Sequence, residues 1–268
     1  MKNQNAVMYM ITEASPFMMS YVIITKEDRA IIVDGGMPAD IDNLMAVVGD
    51  RPIAAWFLTH AHDDHISAIN EILLNRPEIA ARVEKIYYNM PTMAFINKYE
   101  SYELQTRRDF CYAEQKYPEK MYVPRMDEHI TVDGIDFEIL FTYNPMLNSN
   151  AINDSSMVFR MKTENTSVMF LGDIGPEAGD ELLRLQYGNL QADYVQMAHH
   201  GHMCCGPEVY IAINPKVCLW NAPEWLWNEP DYYIRERMYG LGATRKWMDA
   251  IGITRHYVTK DGTQKFDL

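Results

Sequence analysis

Thr59-His60-Ala61-His62-Asp63-Asp64-His65 is the stretch that decides the reading, and an apolar run from Ile53 to Leu58 stands directly before it. The run has the length and composition of a buried strand. Behind the histidines, Ile66, Ile69, Ile72 and Leu73 recur at helical spacing. A strand therefore gives way to a helix at this point. Alternation in the extended segment sends His60 and His62 to one side, while Asp64 and His65 open the helix. Imidazoles and carboxylates gathered at one corner, with room left for water, are the donors used by catalytic zinc, iron or manganese sites. The plain alternative is a polar loop that is histidine-rich by accident. Against it, three of the chain's eight histidines fall within this one short segment.

Further signals lie on both sides. Upstream, residues 20–24 and 30–33 look like paired strands leading into Asp34-Gly35-Gly36. Downstream, Met169-Phe170-Leu171-Gly172-Asp173 looks like a strand ending in a carboxylate, and Ala198-His199-His200-Gly201 follows. The HxHxDH, DGG, GD and HHG motifs, in this order, resemble the metallo-β-lactamase superfamily along nearly the whole chain. The succession Asn153-Asp154-Ser155-Ser156, then LGD, then HHG is similar to one branch of it. That branch holds the metallo-β-lactamase domains of competence-type DNA-uptake proteins and stand-alone relatives such as choline-phosphoesterase-like hydrolases. Thr259-Lys260-Asp261-Gly262-Thr263 resembles the closing hairpin of the branch. The resemblance implies an α/β fold, the four-layer αββα sandwich, with residues 1–268 as a single domain.

It also implies a ligand set for two divalent metal ions, zinc first, with manganese or iron as alternatives. His60 and His62 would bind one ion, Asp64 and His65 the other, and Asp173 would bridge them. One of His199 and His200 would complete the first site, and the sequence leaves open which. The other would serve acid–base chemistry, which suits an imidazole with a pKa near ~6.5. Asp64, His199 and His200 are accordingly the expected catalytic groups. Relatives in the branch often complete the second site with a histidine before a proline. The matching residues 219–230 contain none, and Glu229 before Pro230 is the nearest substitute, with Asn228, Glu224 or water as rivals. Asp34, Asn153 and Asp154 are expected to hold the ligands through hydrogen bonds. Gly35 and Gly36 are expected to allow close backbone approach.

Composition bounds the function. With 48% hydrophobic residues the chain can bury a sizeable core, and no apolar run approaches the ~18 residues that span a bilayer. The polar N-terminal residues carry no apolar signal core, and four cysteines without a regular framework fit a reducing cytoplasm. A net charge of −13 disfavours a polyanion, so a small-molecule substrate is expected and nucleic acid is not.

Element patterns place one long helix over residues 93–117, within an aromatic insertion around 90–122, and another over 232–251. A hairpin is expected across Asp261-Gly262. The insertion is expected to form a lid carrying Tyr99, Tyr102, Phe110 and Tyr112, with Trp225 and Trp227 opposite. Tyr99, Tyr102, Trp225 and Trp227 are the candidate substrate-binding residues, facing an apolar or quaternary-ammonium group. Alternatively these rings pack the lid or form the interface of a homo-oligomer. The expected reaction is hydrolysis of a phosphodiester or another small ester by metal-activated hydroxide. The rivals are a di-iron redox protein and a non-catalytic metal-binding module.

Overall fold

The computed structural model describes residues 5–235 and 237–268; the polar N-terminal residues 1–4 and Glu236 lie outside the described residues. Two seven-stranded sheets face each other. The first runs, edge to edge, through Gln264–Asp267, Val7–Met10, Ser20–Ile24, Ala30–Asp34, Ile53–Leu58, Ile86–Tyr88 and Met121–Tyr122. The second runs through His256–Val258, Val217–Trp220, Tyr194–Gln196, Ser167–Phe170, Val158–Lys162, Ile135–Phe141 and His129–Val132. In each sheet the strands that precede helices pair in parallel, and the hairpin-linked strands pair antiparallel.

Alternation sorts the strand side chains into separate layers. Val22, Ile32, Trp56 and Leu58 point outward, under the helices Ile41–Val48, Asp63–Asn75 and Leu104–Lys116. Their neighbours Tyr21, Ile31, Val33 and Phe57 point inward and meet Phe137, Phe159 and Phe170 of the second sheet. Met169, Leu171, Val195 and Trp220 pack outward under Pro176–Leu185, Pro207–Ile213 and Leu241–Ala250. Strands buried on both faces explain the near-continuous apolar runs. Three apolar layers between four layers of structure make the expected αββα sandwich.

Three expectations about elements are corrected. Residues 93–117 are not one helix. The chain breaks at Glu100 (φ −141°, ψ 62°) between Met93–Tyr99 and Leu104–Lys116, with a single 3₁₀ turn between them. The second helix starts at Leu241. Tyr233–Arg235 and Met238–Tyr239 form a small hairpin ahead of it, with Tyr233 opposite Tyr239. The last two strands are not a hairpin. His256–Val258 joins the second sheet beside Val217–Trp220, and Gln264–Asp267 joins the first beside Val7–Met10. The turn Thr259–Asp261 carries the chain from one sheet to the other. Each sheet thereby gains one edge strand.

Candidate metal centre

The centre lies beyond the ends of Ile53–Leu58, Ser167–Phe170 and Tyr194–Gln196, where the two sheets come together. The Thr59 carbonyl accepts the Met157 N–H at 2.8 Å and ties the sheets at this point. Asp34, in the left-handed region with φ 51°, organises the first loop. Its carboxylate accepts the Thr59 N–H at 2.8 Å, the Thr59 hydroxyl at 2.7 Å and His65 Nδ1 at 2.7 Å. Because the Thr59 proton goes to Asp34, its oxygen is left to accept from His60 Nδ1 at 3.0 Å. His200 Nδ1 is held by the Asn221 carbonyl at 2.9 Å. His60, His65 and His200 therefore all present Nε2 to the interior, their tautomers fixed by the bond at Nδ1. His62 is reversed: Nε2 meets Glu100 at 3.1 Å, and Nδ1 faces His60 Nε2 at 3.0 Å.

Asp173 stands at the centre of these nitrogens. Its Oδ2 is 3.3 Å from His65 Nε2, 3.6 Å from His200, 3.8 Å from His60 and 3.9 Å from His199. Asp64 Oδ2 lies 2.9 Å from His200 Nε2 and 3.3 Å from His65 Nε2. Donor atoms of Asp64, His65, Asp173 and His200 all fall within 4.8 Å of one another, and all four residues are buried. Burial alone would raise the Asp64 and Asp173 carboxyls, but the surrounding imidazoles hold both well below the usual range. Burial pushes His199 down to about 3, leaving it neutral. Glu100 resists burial through bonds from His62, Ile152 and Tyr102, which keep it at about 2.

The donor set fits divalent cations. His65 Nε2 and Asp173 Oδ1 are buried without a hydrogen-bond partner among the described residues. Such groups cost free energy unless something pairs with them. Nitrogen and carboxylate oxygen are also the donors that zinc, manganese and iron accept.

The turn that brings in the histidine pair is strained. His199 and His200 both have positive φ, 50° and 57°, so the strand alternation ends before them. Gly201 follows at φ 97°, and a Cβ there would meet the Trp220 ring at 2.5 Å. Non-glycine residues held in this region mark sites where surrounding structure fixes the backbone. Gly36 serves the first loop in the same way, since a Cβ would lie 2.6 Å from Asp40 Oδ2.

The remaining candidates scatter. Glu229 lies outside the buried cluster. Its Oε2 accepts the Leu241 N–H at 2.8 Å at the head of a helix and sits 3.4 Å from His202 Nδ1, while Oε1 accepts from Tyr232 at 2.7 Å. Trp227 packs edge-on against Trp220 and beneath the Arg245 guanidinium, away from the cleft. Trp225 donates to the Pro16 carbonyl and braces Phe17, whose ring edge meets His200 at 5.3 Å. Tyr99 pairs with Phe95. Phe110 is wholly buried against Tyr88, and Tyr112 is exposed on its helix. Tyr102 does reach the cleft and stacks over His62 with ring centroids 6.5 Å apart. The cleft is about 330 Å³ and also takes in Phe17, Asp63, Glu103, Asn150, Asn153, Met203 and Met238. Asn153 Nδ2 approaches His199 Nε2 at 3.5 Å, and Asp154 accepts the Gly175 N–H at 2.8 Å, bracing the segment after Asp173. Sequence reasoning missed Phe17 and Glu100, which lie in no motif and carry no signal of their own.

The sequence matches the model of the metallo-β-lactamase superfamily over residues 16–197. The chain belongs to that superfamily. No curated protein matches its sequence. Among solved structures, this superfamily member is similar to the metallo-β-lactamase fold protein YhfI from Bacillus subtilis. The identity is 13% and the TM-score 0.60, covering 98% of this chain and 100% of the other. A diphosphatase from the PhnP family aligns at 12% identity and TM-score 0.50, covering 98% of each chain. Zn²⁺-bound PqqB from Methylobacterium extorquens aligns at 12% and 0.55, covering 98% of this chain and 100% of that one. At these identities the likeness establishes the shared fold. Divalent metals are bound in this superfamily, and the chain has the buried His/Asp cluster to hold them. No helix among the described residues is long and apolar enough to cross a membrane.

Proposed function

We propose that the chain is a metal-dependent hydrolase acting on a phosphodiester or another small ester, with two divalent ions, zinc first, in one buried centre. The observation that carries this reading is Asp173 Oδ2, 3.3–3.9 Å from four imidazole Nε2 atoms. A carboxylate in that position can serve both ions. His60 Nε2, His62 Nδ1 and His199 Nε2 form the first set. Asp64, His65 Nε2 and His200 Nε2 form the second. His200 thereby takes the place of the histidine that residues 219–230 lack. Bound there, the ions would lower the pKa of a water towards neutrality and offset negative charge developing on a carbonyl or phosphoryl oxygen. Asn153, beside His199, is placed to orient the ring or a substrate oxygen.

The chain works as one catalytic unit, since each ligand set draws on both sheets. The diphosphatase of the same fold supports phosphorus chemistry, and a zinc-bound relative supports zinc. The cleft has no lysine or arginine among its described lining residues, while Asp63, Glu103, Tyr102 and Phe17 surround it. That rim favours a small substrate with a neutral or cationic group beside the scissile ester, and disfavours nucleic acid. Free Cys111, Cys204, Cys205 and Cys218 are consistent with a reducing cytoplasm.

The test joins metal analysis of the purified protein to a hydrolysis assay on phosphodiesters. Two equivalents with turnover that a chelator abolishes support the enzyme. One equivalent with no turnover on phosphodiesters, carboxylic esters or lactones supports a binding module.

A further inference from the structure

Glu100 sits at the break between the helices Met93–Tyr99 and Leu104–Lys116, and three groups from three parts of the chain converge on its carboxylate. His62 Nε2 approaches Oε2 at 3.1 Å, and the Tyr102 hydroxyl donates to the same oxygen at 2.7 Å. The Ile152 N–H donates to Oε1 at 2.9 Å. An ionised carboxylate can only accept, so the His62 proton that meets it is on Nε2, and the neutral ring keeps its lone pair on Nδ1. Nδ1 is the atom that faces His60 Nε2 at 3.0 Å.

The other oxygen reaches the second sheet's side of the centre. Ile152 opens the 3₁₀ turn Asn153–Ser155. From this segment Asn153 contacts His199, Asp154 holds the Gly175 N–H, and Ser156 Oγ accepts the Asp173 N–H at 3.0 Å. One carboxylate thus ties the loop that carries His62 to the segment that places His199 and Asp173.

We propose that Glu100 is a positioning residue of the metal centre, fixing the His62 tautomer and clamping the two halves of the first ligand set together. The proposal rests on the reading that His62 binds a metal through Nδ1.

The test compares wild type with Glu100→Gln and Glu100→Ala. The His62 tautomer is read by ¹⁵N NMR in metal-free protein at a pH where the ring is neutral, and zinc affinity by competition with a chromogenic chelator. A glutamine offers one acceptor where two are used, so it satisfies His62 or Ile152 but not both. In wild type the His62 ring should be protonated at Nε2. Glu100→Ala should shift it towards a tautomer mixture and weaken one zinc site by roughly 10–100-fold, the range for outer partners of metal-bound imidazoles, and Glu100→Gln, which keeps one acceptor, should do less of both. A purely structural role would lower the melting temperature and leave tautomer and affinity unchanged. Wild-type His62 protonated at Nδ1, or unchanged zinc affinity in both variants, would overturn the proposal. Wild-type protein that binds no zinc, with the tautomer set as expected, would remove the proposed function and leave the positioning of His62 standing.

Discussion

His200 Nε2 lies 2.9 Å from Asp64 Oδ2 across 136 residues of chain. Asp64 comes from the helix after a first-sheet strand, and His200 from the strained turn after a second-sheet strand. The pair exists only when the two sheets are docked, so this contact reports directly on the assembled sandwich.

The partition of ligands gives a direct test. His200→Ala should lose the ion held with Asp64 and His65, while His199→Ala should lose the one held with His60 and His62. Asp173→Ala should lower occupancy at both, with little effect on folding, because the apolar strand before it is intact. Metal content after dialysis checks all three. A His200→Ala protein that keeps two equivalents would refute the assignment.

Asp34 touches no expected metal position, yet it holds both His65 Nδ1 and Thr59. Asp34→Ala leaves buried donors unpaired, at about 1–3 kcal/mol each. Metal affinity at the second site should also fall by roughly 10–100-fold, as expected for an outer partner of a ligand. A chelator titration and a melting curve separate the two effects.

Much of this was legible in the sequence because strand runs and motif spacing report local geometry. The loop His60 to His65 needed only the strand-to-helix switch. His199 and His200 did not yield to the same reasoning, since two consecutive left-handed residues abolish the alternation that assigns direction. Glu229 illustrates a different limit. Its position before Pro230 matched a ligand pattern, but the hairpin and helix that follow draw its carboxylate to a backbone N–H. The final strands were read as a hairpin because turn chemistry is local. Which sheet has an open edge is a property of the whole fold.

Glu229→Ala should therefore act on stability. Losing the acceptor for Leu241 N–H removes a cap at the head of Leu241–Ala250, worth about 0.5–2 kcal/mol. Both metal equivalents should remain. Loss of one equivalent from the folded variant would restore Glu229 as a ligand.

Acid sensitivity should come in part from a site far from the cleft. Burial would raise the Glu138 carboxyl, but bonds from Asn189, Arg160 and Lys162 hold it at about 2, below its ordinary 4.5. A folded pKa below the unfolded one gives stability that is complete above about 4.5 and is lost as pH falls towards 2. Glu138→Gln should cost about 1.5–3 kcal/mol at pH 7, the range for bonds to charged groups. It should also flatten the decline between those pH values. Urea melts at pH 7, 4 and 3 would show it, and parallel curves for variant and wild type would exclude the mechanism.

Substrate preference should follow Tyr102 and not Trp227. Tyr102 stacks over His62 at the cleft and its ring is largely exposed, whereas Trp227 is covered by Arg245 on another face. An exposed aromatic face attracts a cation by about 0.5–1 kcal/mol. Rate ratios convert at 1.4 kcal/mol per factor of ten, so a choline-bearing phosphodiester should exceed a dialkyl phosphate by roughly two- to five-fold in kcat/KM through this ring. Tyr102→Ala should remove that margin, while Tyr102→Phe, which keeps the ring and loses only the bond to Glu100, should keep it. Trp227→Ala should leave the margin intact and lower the melting temperature, because its ring packs on Trp220. The opposite pattern, with the margin lost in Trp227→Ala and kept in Tyr102→Ala, would place substrate recognition on the other face. Equal rates on both substrates in wild type would show that the rim does not select a cation.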